Sequence, residues 1–198
     1  MTRVVAALYV DPRGPYPTIR DVECWDETRD ARRYDGPHPV VAHPPCGPWS
    51  KLRHLYKGSG RECAEIAIEQ VRAYGGVLEH PAGSTLWRYC GLPPANDVER
   101  DQYGGWSLAV EQVRWGHVAR KRTWLYIVGV DADNVGPIPP PREPTHWIGG
   151  YRASSKTNPT RQGKPIPPGI KACSHEQTRR TPRAFAEWLL AIARASKR

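Results

Sequence analysis

The length and composition of the chain limit what it can be. With 198 residues and 39% apolar side chains, it can bury one ordinary globular core, so we expect a single domain over residues 1–198. No stretch approaches the ~18 apolar residues of a membrane span, and the amino terminus lacks a signal-peptide core and cleavage site. We therefore expect a cytoplasmic protein, most simply a monomer, with no membrane partner.

The charge indicates the class of partner. Twenty-nine Lys and Arg residues against 20 Asp and Glu leave a net charge of +9, which makes a polyanion, and DNA in particular, the expected partner. The alternative is that these cations only keep the surface solvated. The eight Trp residues can stack on bases or fill the core.

The cysteines argue against two common frameworks. There are five of them, widely spaced and without a C-x-x-C pair, which disfavours both a disulfide scaffold and a standard zinc ribbon. We expect no metal, and any cysteine with a special role would act alone.

The first half of the chain alternates strand and helix patterns. VVAALYV (4–10) and PVVA (39–42) are short apolar runs of strand type. GRECAEIAIEQVRAYGG (60–76) carries a helical apolar stripe that ends at two glycines, and VLEHP (77–81) follows as another strand. This order predicts an α/β fold with one open, mostly parallel sheet, which binds ligands at the carboxyl ends of its strands.

The second half contains two more predicted strands and a terminal helix. WSLAVEQVRWGH (106–117) and TWLYIVGV (123–130) are predicted as strands that the basic turn VARKR (118–122) connects. Residues 131–180 are rich in Pro and basic side chains, which predicts an irregular insertion, and residues 181–196 form an amphipathic helix that closes the core.

Chemically informative residues follow two of the predicted strands and precede a third. HPPCGPWS places a lone cysteine between prolines and a serine, LEHPAGSTLW places a Glu before a His and a Pro, and WGHVARKRTWLYIVG places cations ahead of a strand. In this order the motifs resemble those of the cytosine-C5 DNA methyltransferases, and the likeness is greater to small phage-encoded proteins of this type than to restriction-system enzymes. The resemblance covers roughly residues 39–130 and implies a Rossmann-like scaffold in a bacterial host cytoplasm.

The resemblance also implies roles for individual residues. Cys46 would be the nucleophile that adds to C6 of cytosine, with Lys51 and Arg53 near enough to lower its pKa. Glu79 would donate a proton at N3 of the base. Because the target atom is hidden in a duplex, base flipping or a single-stranded substrate is implied. The residues expected at the substrate are Pro45, Ser50, His80, Arg120, Lys121 and Arg122.

Several positions depart from the family pattern and leave simpler roles open. His80 stands where the family has Asn, and Ala119 stands where it has Gln. Cys46 can be a half-buried structural thiol, and Glu79 can bond backbone amides. Lys121 can be one more solvated or phosphate-binding cation.

The region expected to hold the one-carbon donor is short. Between the first predicted strand and Cys46 there is no Phe-x-Gly-x-Gly and no clear helix followed by a strand, so we expect a reduced cofactor half with Asp11, Gly14 and Trp25 as its candidate residues. S-adenosylmethionine would then bind in a reduced way, or the donor differs. We favour 5,10-methylenetetrahydrofolate, which would give 5-hydroxymethylcytosine, over S-adenosylmethionine, which would give 5-methylcytosine.

The chain also lacks room for a large target-recognition domain. This predicts a weak or very short sequence preference, with YRASSKTNPTRQGK (151–164) on DNA phosphates. Two other classes stay open. One is a catalytically inactive DNA-binding or host-inhibiting relative, and the other is a zinc nucleobase deaminase, whose His-x-Glu and Pro-Cys-x-x-Cys elements occur here only in scrambled form.

Overall fold

A computed structural model describes residues 2–50, 53–97, 99–149 and 166–198. The strands are β1 (Val5–Leu8), β2 (Val22–Trp25), β3 (Val40–Ala42), β4 (Gly76–Pro81), β5 (Trp106–Glu111), β6 (Arg122–Val128), β7 (His146–Trp147) and β8 (Lys171–Ala172). The α-helices are α1 (Glu62–Tyr74), α2 (Leu86–Tyr89), α3 (His175–Arg179) and α4 (Arg183–Arg194). Short 3-10 helices occupy several of the connections.

Six of these strands form one open sheet in the order β2-β1-β3-β4-β6-β5. Strands β1 to β4 run parallel, β6 is antiparallel to β4, and β5 is antiparallel to β6. The carboxyl ends of β1 to β5 therefore lie at the same edge as the amino end of β6. This edge, which we call the carboxyl edge, is where such sheets bind ligands.

Helices cover both faces of the sheet. The apolar side of α1 packs on β3 and β4 in one buried cluster, which includes Ala67, Ile68 and Val71. On the opposite face, α4 packs on the same strands in a second cluster, which includes Phe185 and Leu189. Strands covered on both sides are apolar throughout, which explains why β1 and β3 were recognisable as short continuous runs of apolar residues.

The structure confirms an α/β fold with a mostly parallel open sheet. The predicted strands at 4–10, 39–42 and 77–81 and the predicted helices at 60–76 and 181–196 all form, as β1, β3, β4, α1 and α4. Their apolar patterns were continuous or strongly periodic, because each packs directly on the core.

Three expectations about the secondary structure need correction. The predicted strand 106–117 ends at Glu111, because Gln112 turns inward and begins a 3-10 helix. Strand β2 forms within a stretch in which the sequence indicated no clear strand. The connection from β1 to β2 contains a 3-10 helix, Tyr16–Thr18, in place of a long α-helix.

The segment 131–180 is also more regular than expected. Where the structure describes it, β7 pairs with β8, and α3 begins with a capping box in which Ser174 and Gln177 exchange hydrogen bonds. The predicted phosphate-binding stretch 151–164 lies outside the described residues. Among the helices that the structure describes, none combines the length and hydropathy of a membrane-spanning segment.

Candidate functional site at the carboxyl edge

The loop that carries Cys46 is held in place by the buried residue Trp49. Cys46 follows β3 and precedes the 3-10 helix Gly47–Trp49. The Trp49 side chain is buried, and its indole N–H donates to the Arg61 carbonyl at 3.3 Å. The Trp49 carbonyl accepts from the backbone N–H and the hydroxyl of Thr85 at 2.9 and 3.0 Å. These bonds fix the loop to the start of α1 and to the turn before α2.

Cys46 itself is exposed at the carboxyl edge. The protein surrounding its sulfur nevertheless raises the pKa of the thiol by desolvation, and the negative charge of Glu79 raises it further. Lys121 and Arg179 act in the opposite direction but do not outweigh these effects. The expectation that neighbouring cations lower this pKa is therefore wrong, because desolvation and the charge of Glu79 together outweigh the cations.

Glu79 is buried at the end of β4 among three hydrogen-bond donors. Its Oε1 accepts from Gln112 Nε2 at 3.0 Å and from Thr123 Oγ1 at 3.3 Å. Its Oε2 lies 3.0 Å from His43 Nδ1. Each carboxylate oxygen can accept two hydrogen bonds, so among the described contacts Oε2 keeps one lone pair for a further donor.

These partners decide the charge of Glu79. Burial alone would raise the pKa of the carboxyl, but the hydrogen bond and charge of His43, together with the charges of Lys121 and His80, lower the pKa to about 2. Glu79 is therefore ionised at neutral pH. This corrects the expectation of a proton already held on Glu79 for donation to N3.

His43 connects Glu79 to a buried phenol. An ionised carboxylate only accepts, so the His43 Nδ1 must carry the proton that it shares with Glu79. The other ring nitrogen, Nε2, lies 2.6 Å from the Tyr16 hydroxyl. Burial raises the pKa of Tyr16, and its hydroxyl therefore keeps its proton and can donate it to Nε2 of a neutral imidazole. Tyr16, His43 and Glu79 form one continuous hydrogen-bonded chain.

His80 lies on the other face of β4, as alternation along a strand requires. Its side chain is 1% exposed, and neither ring nitrogen has a hydrogen-bond partner in the described part of the chain. Burial lowers the pKa of His80 to about 4, although Glu79 and the backbone at Pro45 oppose that shift. His80 is therefore neutral, lies near the backbone of the Cys46 loop at Pro45, and is not open to solvent.

The basic motif contributes one cation to the site and two to the surface. Lys121 Nζ donates to the carbonyls of Arg179 and Arg180 at 3.3 and 2.9 Å, at the end of α3. Burial lowers the pKa of Lys121, while Glu79 and Cys46 raise it. Arg120 and Arg122 instead pair with Glu111 on the exterior, at 3.8 and 3.3 Å.

The remaining expected substrate residues lie on the Cys46 loop. Pro45 precedes Cys46, and its backbone lies near His80. Ser50 ends the 3-10 helix Gly47–Trp49, and its backbone carbonyl accepts from the Arg53 N–H at 3.1 Å. Lys51 lies outside the described residues.

The residues expected at the donor lie beyond β1 and β2 at the same edge. Asp11 begins a tight turn in which the Gly14 N–H donates to the Asp11 carbonyl. The Asp11 carboxylate accepts from the Arg13 backbone N–H at 2.9 Å and pairs with the Arg13 side chain at 3.3 Å. Trp25 packs under the Arg29 guanidinium at 3.7 Å, and its indole N–H is buried without a partner among the described residues.

Four residues of the site were not identified from the sequence. His43 begins the stretch HPPCGPWS, and Gln112 lies inside the predicted strand 106–117. Thr123 begins the predicted strand 123–130, and Tyr16 lies in a Pro-rich stretch. All four are brought to Glu79 by tertiary structure, and no local pattern signals them.

The described residues contain no candidate metal site. Across residues 2–50, 53–97, 99–149 and 166–198, no group of three or more His, Cys, Asp or Glu side chains is placed to hold a metal ion.

Comparison with known proteins gave no matching family model and no curated protein with significant similarity. The resemblance to the cytosine-C5 methyltransferases therefore rests on the sequence motifs alone.

Proposed function

We propose that this chain is a DNA cytosine C5 one-carbon transferase that works through a covalent bond between Cys46 and C6 of the base. The observation that carries the proposal is the pairing of an exposed thiol with a buried, ionised carboxylate at the carboxyl ends of the neighbouring parallel strands β3 and β4. The two groups are close enough for the charge of Glu79 to act on the thiol. The sequence motifs around both residues support the same reaction.

In this reaction the Cys46 thiolate forms a bond to C6, and the C5–C6 π electrons move to C5, which becomes nucleophilic. The thiol must first lose its proton, which its raised pKa opposes in the free protein. Lys121 and Arg179 stabilise the thiolate. We expect base binding to complete the activation by placing C6 at the sulfur, so that each thiolate that forms can react at once.

Glu79 would act as an acceptor at the Watson–Crick edge of the base. The remaining lone pair on its Oε2 can take an N–H, and a carboxylate beside N3 favours protonation of that nitrogen. With Glu79 ionised, N3 takes its proton from water, and the protonated base paired with the carboxylate withdraws electrons from C6. The ionised state of Glu79 is thus compatible with its proposed role.

The donor site departs from a standard adenosyl pocket. Only a 3-10 helix connects β1 and β2, so no long helix begins behind β1, and the Asp11 carboxylate is already engaged by Arg13. These residues do not fit S-adenosylmethionine bound in the usual way, and for this reason we favour 5,10-methylenetetrahydrofolate. When bound, it would supply the one-carbon unit.

The test is nucleoside mass spectrometry of plasmid DNA treated with the purified protein and each donor separately. We expect hydroxymethyl-deoxycytidine with 5,10-methylenetetrahydrofolate, and none from the Cys46→Ala variant. A Cys90→Ala variant, which removes a half-buried thiol of another region, should keep the activity. Methyl-deoxycytidine formed with S-adenosylmethionine alone would overturn the donor assignment, and no product with either donor would overturn the activity.

One observation favours a second candidate function, a catalytically inactive DNA-binding relative. The pKa of Cys46 is raised, whereas an activated nucleophile commonly has a lowered one. Incubation with DNA containing 5-fluorocytosine and each one-carbon donor separates the two candidates. Once C5 has taken up the one-carbon unit, fluorine cannot leave as a proton would, so an active enzyme stays bound to C6 through Cys46. DNA binding without such a complex would favour the inactive relative.

A further inference from the structure

A surface groove lies directly beside the Cys46 loop. It is open to solvent, has a volume of about 540 Å³, and is lined by Pro48, Arg53, His54, Tyr56, Arg61, Glu62 and the segment 58–60. The Glu62 carboxylate is paired with Arg32 at 3.3 Å. Pro48 belongs to the 3-10 helix that follows Cys46, so the groove and the thiol share one loop. None of the groove residues belongs to the network around Glu79.

The ring of Tyr56 packs against the loop that carries Cys46. A Cβ placed on Gly47 would lie 2.3 Å from Tyr56 Cε2, so the ring packs on the backbone of the residue that follows Cys46. The ring also abuts Gly58, and its hydroxyl donates to the Ser59 carbonyl at 3.1 Å. The side chain is still 41% exposed. An aromatic ring that is fixed in place and open to solvent is suited to stacking.

Two arginines line the groove together with this ring. Arg53 forms no ion pair with a carboxylate in the described part of the chain. Arg61 lies over the Trp49 ring at 4.0 Å and is 3.9 Å from Glu65, an exposed and therefore weak pair. A fixed aromatic ring beside cations that carboxylates neutralise only in part is typical of surfaces that bind single-stranded nucleic acid.

We propose that this groove binds the nucleotide next to the target base, with its base stacked on Tyr56 and its phosphate at Arg53 and Arg61. The inference rests on the proposed function and names its substrate as a polynucleotide strand. A free nucleotide could reach Cys46 and Glu79 but would leave the groove empty. The net charge of +9 agrees with a polyanionic substrate.

The first experiment measures binding of the full-length protein to a fluorescent single-stranded oligonucleotide of about 9 nucleotides. Loss of one stacking contact should make Tyr56→Ala bind about 5- to 100-fold more weakly. Tyr56→Phe keeps the ring and should bind like the wild type. Arg53→Ala should weaken binding and reduce its salt dependence by about one phosphate contact, whereas the remote Arg183→Ala should not.

A second experiment separates this inference from the proposed function. Covalent trapping in the presence of the one-carbon donor is compared on a 5-fluorodeoxycytidine mononucleotide and on a trinucleotide with the same base in the middle. We expect Tyr56→Ala to slow trapping of the trinucleotide several-fold more than trapping of the mononucleotide, which reports any disturbance of the Cys46 loop itself. Two results would overturn the proposed role of the groove and leave the Cys46 reaction unaffected. One is equal trapping of the trinucleotide by the wild type and by Tyr56→Ala. The other is wild-type affinity of both Tyr56→Ala and Arg53→Ala for the oligonucleotide. A protein that neither binds nor is trapped would overturn both.

Discussion

At the scale of single residues, the charge of Glu79 has the largest consequences. Its pKa lies near 2 in the folded protein and would lie near its ordinary value of 4.5 in the unfolded chain. A carboxyl whose pKa is depressed by folding stabilises the fold above its unfolded pKa, and this contribution is lost as the pH falls through the folded pKa. Glu79 should therefore stabilise the protein at pH 7 and progressively less between about pH 4.5 and pH 2.

The variant Glu79→Gln tests this linkage. It removes the charge but keeps the shape, so we expect a loss of roughly 1–3 kcal/mol in the free energy of unfolding at pH 7. The loss should shrink at pH 3, because the Glu79 carboxyl of the unfolded chain is mostly protonated there whereas that of the folded protein is still ionised. Urea denaturation at both pH values measures it, with the exposed Glu187→Gln as control. A loss that is independent of pH would contradict the ionised, hydrogen-bonded Glu79 described here.

The same carboxylate raises the pKa of Cys46, which gives a second prediction. Removing the charge in Glu79→Gln should lower the pKa of the thiol and speed its alkylation by iodoacetamide at pH 7.5, because only the thiolate reacts. Removing the opposing cation in Lys121→Met should slow the alkylation. Peptide mass spectrometry separates Cys46 from the other four cysteines. Identical alkylation rates in all three proteins would show that neither charge acts on the thiol.

At the scale of elements, α3 closes one side of the site and is held there by two contacts. Lys121 Nζ donates to the last carbonyls of the helix, and His117 Nε2 lies 2.9 Å from the Gln177 carbonyl. A helix of five residues is not stable alone, so its position depends on such contacts.

Lys121→Met should therefore loosen α3 selectively. We expect faster hydrogen exchange of the amides of Thr178 and Arg180, whose hydrogen bonds lie within this helix, and unchanged exchange in α4. Arg120→Met removes a neighbouring surface cation and serves as the matched control. If α3 exchanges at the same rate in both variants, Lys121 does not hold the helix in place.

The elements that the sequence predicted correctly are those whose packing repeats along the chain. Strand β4 and helix α1 carry apolar residues at regular spacing because each lies directly on the core. Strand β2 escaped prediction because all four of its residues are only half-buried at the sheet edge and one is a Glu. Cys46 and Glu79 were found through motif resemblance, whereas Gln112 and Tyr16 are joined to Glu79 only by tertiary contacts.

At the scale of the whole molecule, the net charge of +9 predicts how strongly DNA binding depends on salt. Each phosphate neutralised by a Lys or Arg releases counterions, so the logarithm of the binding constant should fall linearly with the logarithm of the salt concentration, by about 0.7 per contact on a single strand. Several contacts would weaken binding by an order of magnitude or more between 50 and 200 mM salt.

Anisotropy titrations over that salt range test the prediction with single-stranded DNA and with polyglutamate of matched length. Polyglutamate carries charge without bases, so it separates general electrostatic attraction from the stacking proposed at Tyr56. DNA that binds more tightly than polyglutamate, by a margin that persists at 200 mM salt, would show that non-ionic contacts add to the charge. Equal binding of the two polymers would mean that the basic surface only attracts polyanions, and affinity that does not change with salt would contradict a phosphate-binding role for the charge.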